Sequence, residues 1–281
     1  MDPQKIAKQL QIPRDVAVRL GQEAVHIIEA GKYKAQSGRV VEIGPLVEHA
    51  VNETRSYPPD SEQPCSGPGS FPTSVKVQNE TTLTAARRMR EEGCIPAALN
   101  MASATSPGGG FRTGARAQEE YLCRSSALWA CLRDSPMYAF HRSHTDPFYS
   151  DYVIYSPDVP VFRDDDSNLL DEIYLCCFIT SPAVHAIGVS KYMPLRQGEI
   201  VPTMKTRIHK VLSIAAAHHH THLVLGAWGC GAFGNDGAMI ASLFRSALDG
   251  EFRGLFKQVV FAITDWSDDQ RFIGPFASAF A

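Results

Sequence analysis

The sequence predicts an α/β protein, a three-layer α/β/α sandwich with a mixed sheet, on three observations. Two apolar strand candidates, residues 95–101 and 223–225, each run into a glycine-rich loop and then a helix start. Helical and strand patterns alternate along most of the chain, which places helices on both faces of a sheet. The strand candidates at 151–155 and 161–162 are separated only by Ser156-Pro157-Asp158, too little for a helical crossover, so part of the sheet must be antiparallel.

The 281 residues, 44% hydrophobic and 20% charged, suffice for one large domain with a substantial core. A net charge of -3 and a pI near 6.4 lack the basic footprint of a nucleic-acid binder. No direct DNA binding is therefore expected, and a polyanionic ligand must be gripped locally. The opening residues contain no apolar signal core, and no run approaches the roughly 18 apolar residues of a membrane span. A soluble, intracellular protein is expected. Seven scattered cysteines without a Cys-x-x-Cys pair fit reduced thiols, and adjacent Cys176 and Cys177 should face opposite sides of a strand.

Taken in order, Val16, Val18, Leu20, Ala24, Ile27 and Ile28 give residues 14–30 an amphipathic helical pattern that Gly31 stops. Pro58, Pro59, Pro64, Pro68 and Pro72, with Gly67 and Gly69, mark a long loop. The chain divides there into an amino-terminal helical extension with its proline-rich loop, 1–73, and a main domain, 74–281. A strand is expected at 74–77, a helix at 82–92 closed by Gly93, and a helix at 121–132 with Gln118, Glu119 and Glu120 in its first turn. Residues 163–168 form a polar turn. Its Asp164, Asp165 and Asp166, unspaced, suit a solvated hairpin tip better than a metal site. An interior strand at 173–180 precedes a helix from Pro202 to about 217. His218, His219, His220 and His222 follow at its carboxyl end, where imidazoles are favoured electrostatically and no Glu or Cys neighbour completes a metal set. The last strand, 259–263, ends at Thr264 and Asp265.

Two segments carry chemistry. Gly108, Gly109 and Gly110 are costly for a mere turn, but let a loop approach a ligand with bare N–H groups. Glu119 and Glu120 just beyond would complement a helix dipole anywhere; at the carboxyl end of a strand they also face the edge where open α/β sheets bind ligands. The second segment, Gly229-Cys230-Gly231-Ala232-Phe233-Gly234-Asn235, has the spacing G-x-G-x-x-G of a dinucleotide fold. It lies late in the chain, and Asp249 precedes the next strand instead of ending it, against a Rossmann oxidoreductase. Binding of a diphosphate is the chemistry the two readings share.

The triple glycine, short spacer and Gln118-Glu119-Glu120, continuing through Cys123-Arg-Ser-Ser, resemble the signature of poly(ADP-ribose) glycohydrolases of the bacterial or microbial type, which also occurs in fungi. Met101 departs from the pattern, standing where an aromatic residue is expected after the asparagine. The resemblance implies a macrodomain that holds ADP-ribose and hydrolyses the ribose–ribose O-glycosidic bond from chain ends, with no cofactor and no metal. It implies that Asn100 and Gln118 bind the reacting ribose, and that Gly108, Gly109 and Gly110 enclose the adjoining phosphate and sugar. The loop Gly229, Cys230, Gly231, Ala232, Phe233, Gly234 and Asn235 would wrap the diphosphate, with Phe233 against the sugar and Thr264 at the adenosine end. Glu120 would be the general acid and Glu119 would hold the leaving sugar. A helix start and a neighbouring glutamate pull on Glu120 in opposite directions, so the sequence leaves its protonation state open. Implied partners are poly(ADP-ribose) and ADP-ribosylated proteins, with no membrane. A monomer in the cytoplasm, or nucleocytoplasmic in a eukaryote, would reverse ADP-ribosylation in the DNA damage response. An ADP-ribose-binding module without hydrolysis and a hydrolase of protein-linked mono-ADP-ribose remain the alternatives.

Overall fold

The computed structural model describes residues 3–61 and 69–281; Pro64, Cys65, Gly67 and Pro68 of the proline-rich stretch lie outside the described residues. At the amino end come α1 (Pro3–Leu10), α2 (Arg14–Ala30), a two-stranded ribbon of β1 (Lys32–Lys34) and β2 (Val40–Glu42), α3 (Gly44–Glu53) and β3 (Arg55–Tyr57). In α2 the residues Leu20, Ala24, Ile27 and Ile28 face inward, and Gly31 closes the helix at φ 66°. Then follow β4 (Ser74–Gln78), α4 (Thr82–Glu91), β5 (Pro96–Met101), α5 (Gln118–Ser125), α6 (Leu128–Leu132) and α7 (Pro136–Ser143). The hairpin β6 (Val153–Arg163) and β7 (Leu169–Ser181) leads to α8 (Ala186–Tyr192), α9 (Ile200–Ala217) and β8 (His222–Leu225). The chain closes with α10 (Gly237–Asp249), β9 (Gln258–Ala262) and α11 (Gly274–Ala279).

Seven strands form one sheet in the order β3-β6-β7-β5-β8-β9-β4. From β7 to β4 the neighbours are parallel, whereas β6 runs antiparallel to both β7 and β3. The alternation of side chains along a strand divides the interior between two helical layers. Ala98 and Cys176 join the core beneath α2 to α7, while Ala97, Leu99 and Cys177 join the core beneath α8 to α11. The two adjacent cysteines thus face opposite layers, and the six cysteines among the described residues are free. The expected α/β/α sandwich with a mixed sheet is the observed fold. The boundary drawn at residue 73 crosses it, since β3 pairs with β6 and Ile27, Ile28 and Val47 share a core with β5 and α5. No helix among the described residues is long and apolar enough to cross a membrane.

Three local expectations are corrected. The single helix expected at 121–132 is broken at Ser126, whose backbone is extended at φ -145°. Its hydroxyl donates to Leu122 O at 2.8 Å, satisfying a carbonyl that helix continuation would use, and Ser126 bridges to Val161. The two short strands expected around Pro157 are one strand, β6, with a bulge between Ser156 and Val159 that absorbs the proline. The aspartate tip is not simply solvated: Asp165 accepts hydrogen bonds from Thr81 Oγ1 and Thr84 Oγ1, both at 2.7 Å, and from the Tyr121 hydroxyl. It braces the start of α4 against α5. Two of the histidines after α9 are taken up by Tyr155, His218 stacked on its ring at 3.7 Å and His220 hydrogen-bonded to its hydroxyl at 2.8 Å.

Candidate active site

Because β5, β8 and β9 are parallel, the loops leaving their carboxyl ends meet at one edge of the sheet. They line a cleft of about 530 Å³. Met101, Ser103, Glu119 and Glu120 form one wall, and Gly229, Gly231, Ala232 and Phe233 another. Thr264, Trp266 and Phe272 line the part contributed by the β9 end.

The carboxylate pair is set by the helix start and by the loop that folds over it. Glu119 and Glu120 occupy the first turn of α5 and are only 2% and 8% exposed. Glu119 Oε2 accepts from Ser103 N at 2.6 Å, and its Oε1 accepts a longer bond from Asn100 Nδ2 at 3.4 Å. Burial pushes the Glu119 carboxyl up to about 8, the charge of Glu120 adding to it and the bonds from Ser103, Asn100 and Gly108 opposing it. Glu120 Oε1 accepts from Gly110 N at 2.9 Å. Its Oε2 is buried and has no partner among the described residues. A buried carboxylate oxygen with no donor is expensive, which marks it as the oxygen free to exchange a proton with a ligand.

The glycine run explains how the loop reaches that close. At Gly109, φ is 57°, and a Cβ there would stand 2.1 Å from Glu120 Oε1 and 3.1 Å from Glu119 Oε2. Gly108, at φ 74°, packs where a Cβ would meet the Phe111 ring at 3.0 Å and Cys123 Sγ at 3.1 Å. Gly108, Gly109 and Gly110 therefore stand behind the carboxylates and outside the cleft wall. Asn100 is also behind it, fully buried, donating to Glu119 and to Thr180 Oγ1 at 3.2 Å. Gln118 lines the cleft while its amide ties α5 to β5, accepting from Met101 N at 2.9 Å and donating to Leu99 O at 2.7 Å.

The loop after β8 is built differently. Gly229, at φ 73°, leaves room for Asn235, whose Nδ2 would lie 2.5 Å from a Cβ there. Asn235 is 4% exposed and donates to Val184 O at 2.7 Å and to Gly229 O at 3.2 Å, so it fastens the loop from below. Cys230 and Gly234 do not line the cleft, Gly234 being packed on Ile187. At Gly231 a Cβ would meet nothing within 4 Å. Phe233 stands edge-on to His185 at 4.9 Å and tilted to Tyr149 at 6.1 Å. Thr264 is in the wall, whereas Asp265 turns inward and accepts from Ser267 N, Phe272 N and Ile273 N at 2.8 to 3.0 Å. Against the opposing effect of burial, those bonds and the Ser267 hydroxyl hold Asp265 below the ordinary carboxylate range.

Sequence reasoning missed several wall residues. Trp228 lies inside the second motif, fully buried with Nε1 unpaired among the described residues, and Trp266 follows Thr264 at 42% exposure. Both were findable as tryptophans beside strand-end loops. Leu10, Gln11 and Arg116 carry no local signal; they meet at the cleft because Arg116 Nη1 donates to Ile12 O at 2.9 Å. Among the described residues no group of three His, Cys, Asp or Glu side chains is arranged to hold a metal.

A buried glutamate pair opposite a backbone-lined glycine loop, at the carboxyl ends of parallel strands, defines the ligand cleft of a macrodomain-like α/β/α protein. Comparison with known proteins narrows that class. A family model described as the microbial-type PARG (poly(ADP-ribose) glycohydrolase) catalytic domain matches residues 21–164. Poly(ADP-ribose) glycohydrolase from Thermomonospora curvata is 46% identical over 95% of this chain and 100% of its own, with a TM-score of 0.90. The same protein bound to the inhibitor ADP-HPD gives 45%, the same coverage and 0.87. The glycohydrolase from Deinococcus radiodurans in complex with ADP-ribose is 41% identical over 85% of this chain and 98% of its own, at 0.79. No curated protein matches the chain. The chain belongs to the microbial-type poly(ADP-ribose) glycohydrolase family.

Proposed function

We propose that this protein is a poly(ADP-ribose) glycohydrolase that hydrolyses ribose–ribose O-glycosidic bonds from chain ends and releases ADP-ribose. The observation that carries the reading is Glu120 Oε2, a buried carboxylate oxygen at the cleft with no partner among the described residues, beside Glu119. Glu120, held through Oε1 by Gly110 N–H, protonates the departing ribose hydroxyl through Oε2. As a carboxylate it then takes a proton from the water that attacks the oxocarbenium-like carbon. Glu119, whose carboxyl burial pushes up to about 8, stands beside Glu120 and holds the leaving sugar. One carboxyl group, that of Glu120, serves both proton transfers in turn.

The loop of Gly229, Gly231 and Ala232 offers backbone N–H groups to the diphosphate, with Phe233 against the sugar and Thr264 toward the adenosine. Asn100 and Gln118 act on the ribose site through Glu119 and the α5 start. The ADP-ribose held by the Deinococcus relative supports the same ligand here. Leu10 and Gln11 add a further side to the cleft wall, a placement in keeping with end-on cutting. On this reading residues 74–281 carry the site residues, and the part before residue 73 completes the same fold through β3 and the core of α2 and α3. The protein acts as a monomer on poly(ADP-ribose) and ADP-ribosylated proteins, in the cytoplasm or nucleocytoplasm, in the DNA damage response.

The test is product analysis by chromatography with mass detection, with poly(ADP-ribose) on an automodified polymerase as substrate. Free ADP-ribose from the earliest times is the expected result. Early short oligomers would reject end-on cutting, and ADP-ribose binding without any product would reject the hydrolase in favour of a binding module.

A further inference from the structure

Next to the cleft, on the face of α2, lies a groove that the reaction does not use. Arg14, Asp15, Val18, Arg19 and Gln22 line one part of it, and Gln22, Val25, Arg112 and Thr113 line the next. Shared Gln22 makes the two parts continuous. The groove joins the cleft through the turn at 112–116: Arg14 Nε donates to Thr113 O at 3.2 Å, and Arg116 lines the cleft itself. Gly114, at φ 90°, lets Arg14 in, since a Cβ there would stand 2.6 Å from Arg14 Cγ.

Arg14, Arg19 and Arg112 are exposed, and none is ion-paired with a carboxylate among the described residues, unlike Arg87, Arg196 and Arg245. The Arg112 guanidinium stands 5.4 Å from the Trp129 ring centroid and 6.0 Å from that of Phe111, cation–π contacts that restrain an otherwise exposed side chain. Asp15 is the one carboxylate in these walls, so the groove is net cationic on a chain of net charge -3.

We propose that the groove of Arg14, Arg19 and Arg112 binds the diphosphate of the polymer unit adjoining the one in the cleft. The proposal rests on the reading of the chain as a glycohydrolase of poly(ADP-ribose). A one-unit ligand fills the cleft alone, whereas a polymer presents a second diphosphate at the cleft mouth. Guanidinium forks suit that group because they bind phosphate oxygens two at a time. The groove then raises affinity for long chains without touching the reacting bond, and its contribution weakens with salt.

The experiment compares wild type with Arg19→Gln/Arg112→Gln, using chains of more than ten units and chains of two units, with ADP-ribose affinity as the control for the cleft. The expected result is a rise in KM of roughly 5- to 20-fold for long chains, with kcat and ADP-ribose affinity within twofold of wild type. Dependence of log KM on log salt should fall by about one in the double variant, and Arg112→Lys, which keeps the charge but loses the fork, should retain only part of the wild-type affinity. Equal KM for long chains in both proteins would overturn the groove, as would an equal loss of affinity for ADP-ribose, which lacks the adjoining diphosphate that two-unit and longer chains carry. Should the double variant misfold, the wild-type salt series still decides, since equal salt slopes for chain KM and for ADP-ribose affinity would reject the proposal. Wild type that releases no ADP-ribose would instead reject the glycohydrolase reading on which it rests.

Discussion

The two glycine loops of the cleft look alike in sequence and do opposite things. In the loop after β5, glycine is demanded by the protein: Gly109 lies so close to Glu120 that a Cβ would stand 2.1 Å from its Oε1. In the loop after β8, a Cβ at Gly231 would meet no protein atom within 4 Å, so packing does not require glycine there. At Gly109 the missing side chain lets the loop close over the carboxylates from behind, whereas at Gly231 it leaves open space in front, between Gly229 and Gly234 that pack on Asn235 and Ile187. A glycine run therefore signals close approach, and only the structure says by what.

That contrast can be broken by substitution. Gly109→Ala should have the largest effect, because the methyl group both strains a residue at φ 57° and displaces Glu120. A loss of turnover of at least about 100-fold is expected, with a destabilisation of about 1–3 kcal/mol in thermal or denaturant unfolding. Near-normal turnover would mean that the loop is not what positions Glu120. Gly231→Ala should sharpen the contrast from the other side. Its stability should stay within about 0.5 kcal/mol of wild type, while ADP-ribose affinity measured by calorimetry falls by about tenfold. Undiminished affinity would remove Gly231 from the ligand site.

The smallest effect concerns pH. Glu119 is pushed up to about 8 in the folded chain against 4.5 for an unperturbed group, so between those values the folded state holds a proton that the unfolded chain has lost. Its contribution is fully present below about 4.5 and is lost as pH rises to about 8. Glu119→Gln imitates the neutral form at every pH. The variant should match wild type at pH 5 and melt at least about 2 °C higher at pH 8.5. Parallel melting curves across that range would mean that Glu119 is charged in the folded protein.

Much of the frame was legible because it rests on local rules. Period-2 burial separated Cys176 from Cys177, and a left-handed glycine ended α2 where Gly31 stands. The glutamate pair and the second glycine loop were legible as a strand-end constellation. Features set by distant contacts were not. Ser126 breaks a plausible helix because Val161 pairs with it across the fold, and Asp165 is partly withdrawn from solvent because Thr81, Thr84 and Tyr121 converge on it. Leu10 and Gln11 reach the cleft only by the docking of α1. Nor does any spacing rule reveal that Asn100 sits behind the carboxylates, bonded to Glu119, with no place in the cleft wall.

The most direct test of the account is Glu120→Gln, measured by single-turnover release of ADP-ribose from poly(ADP-ribose) together with ADP-ribose affinity. Gln keeps an acceptor for Gly110 N–H but cannot donate and recover a proton at the Oε2 position. Turnover reduced by roughly 10²- to 10⁴-fold, with affinity within several-fold of wild type, is the predicted result. Undiminished turnover would contradict the assignment of the unpartnered Glu120 oxygen as the acid and base of the reaction.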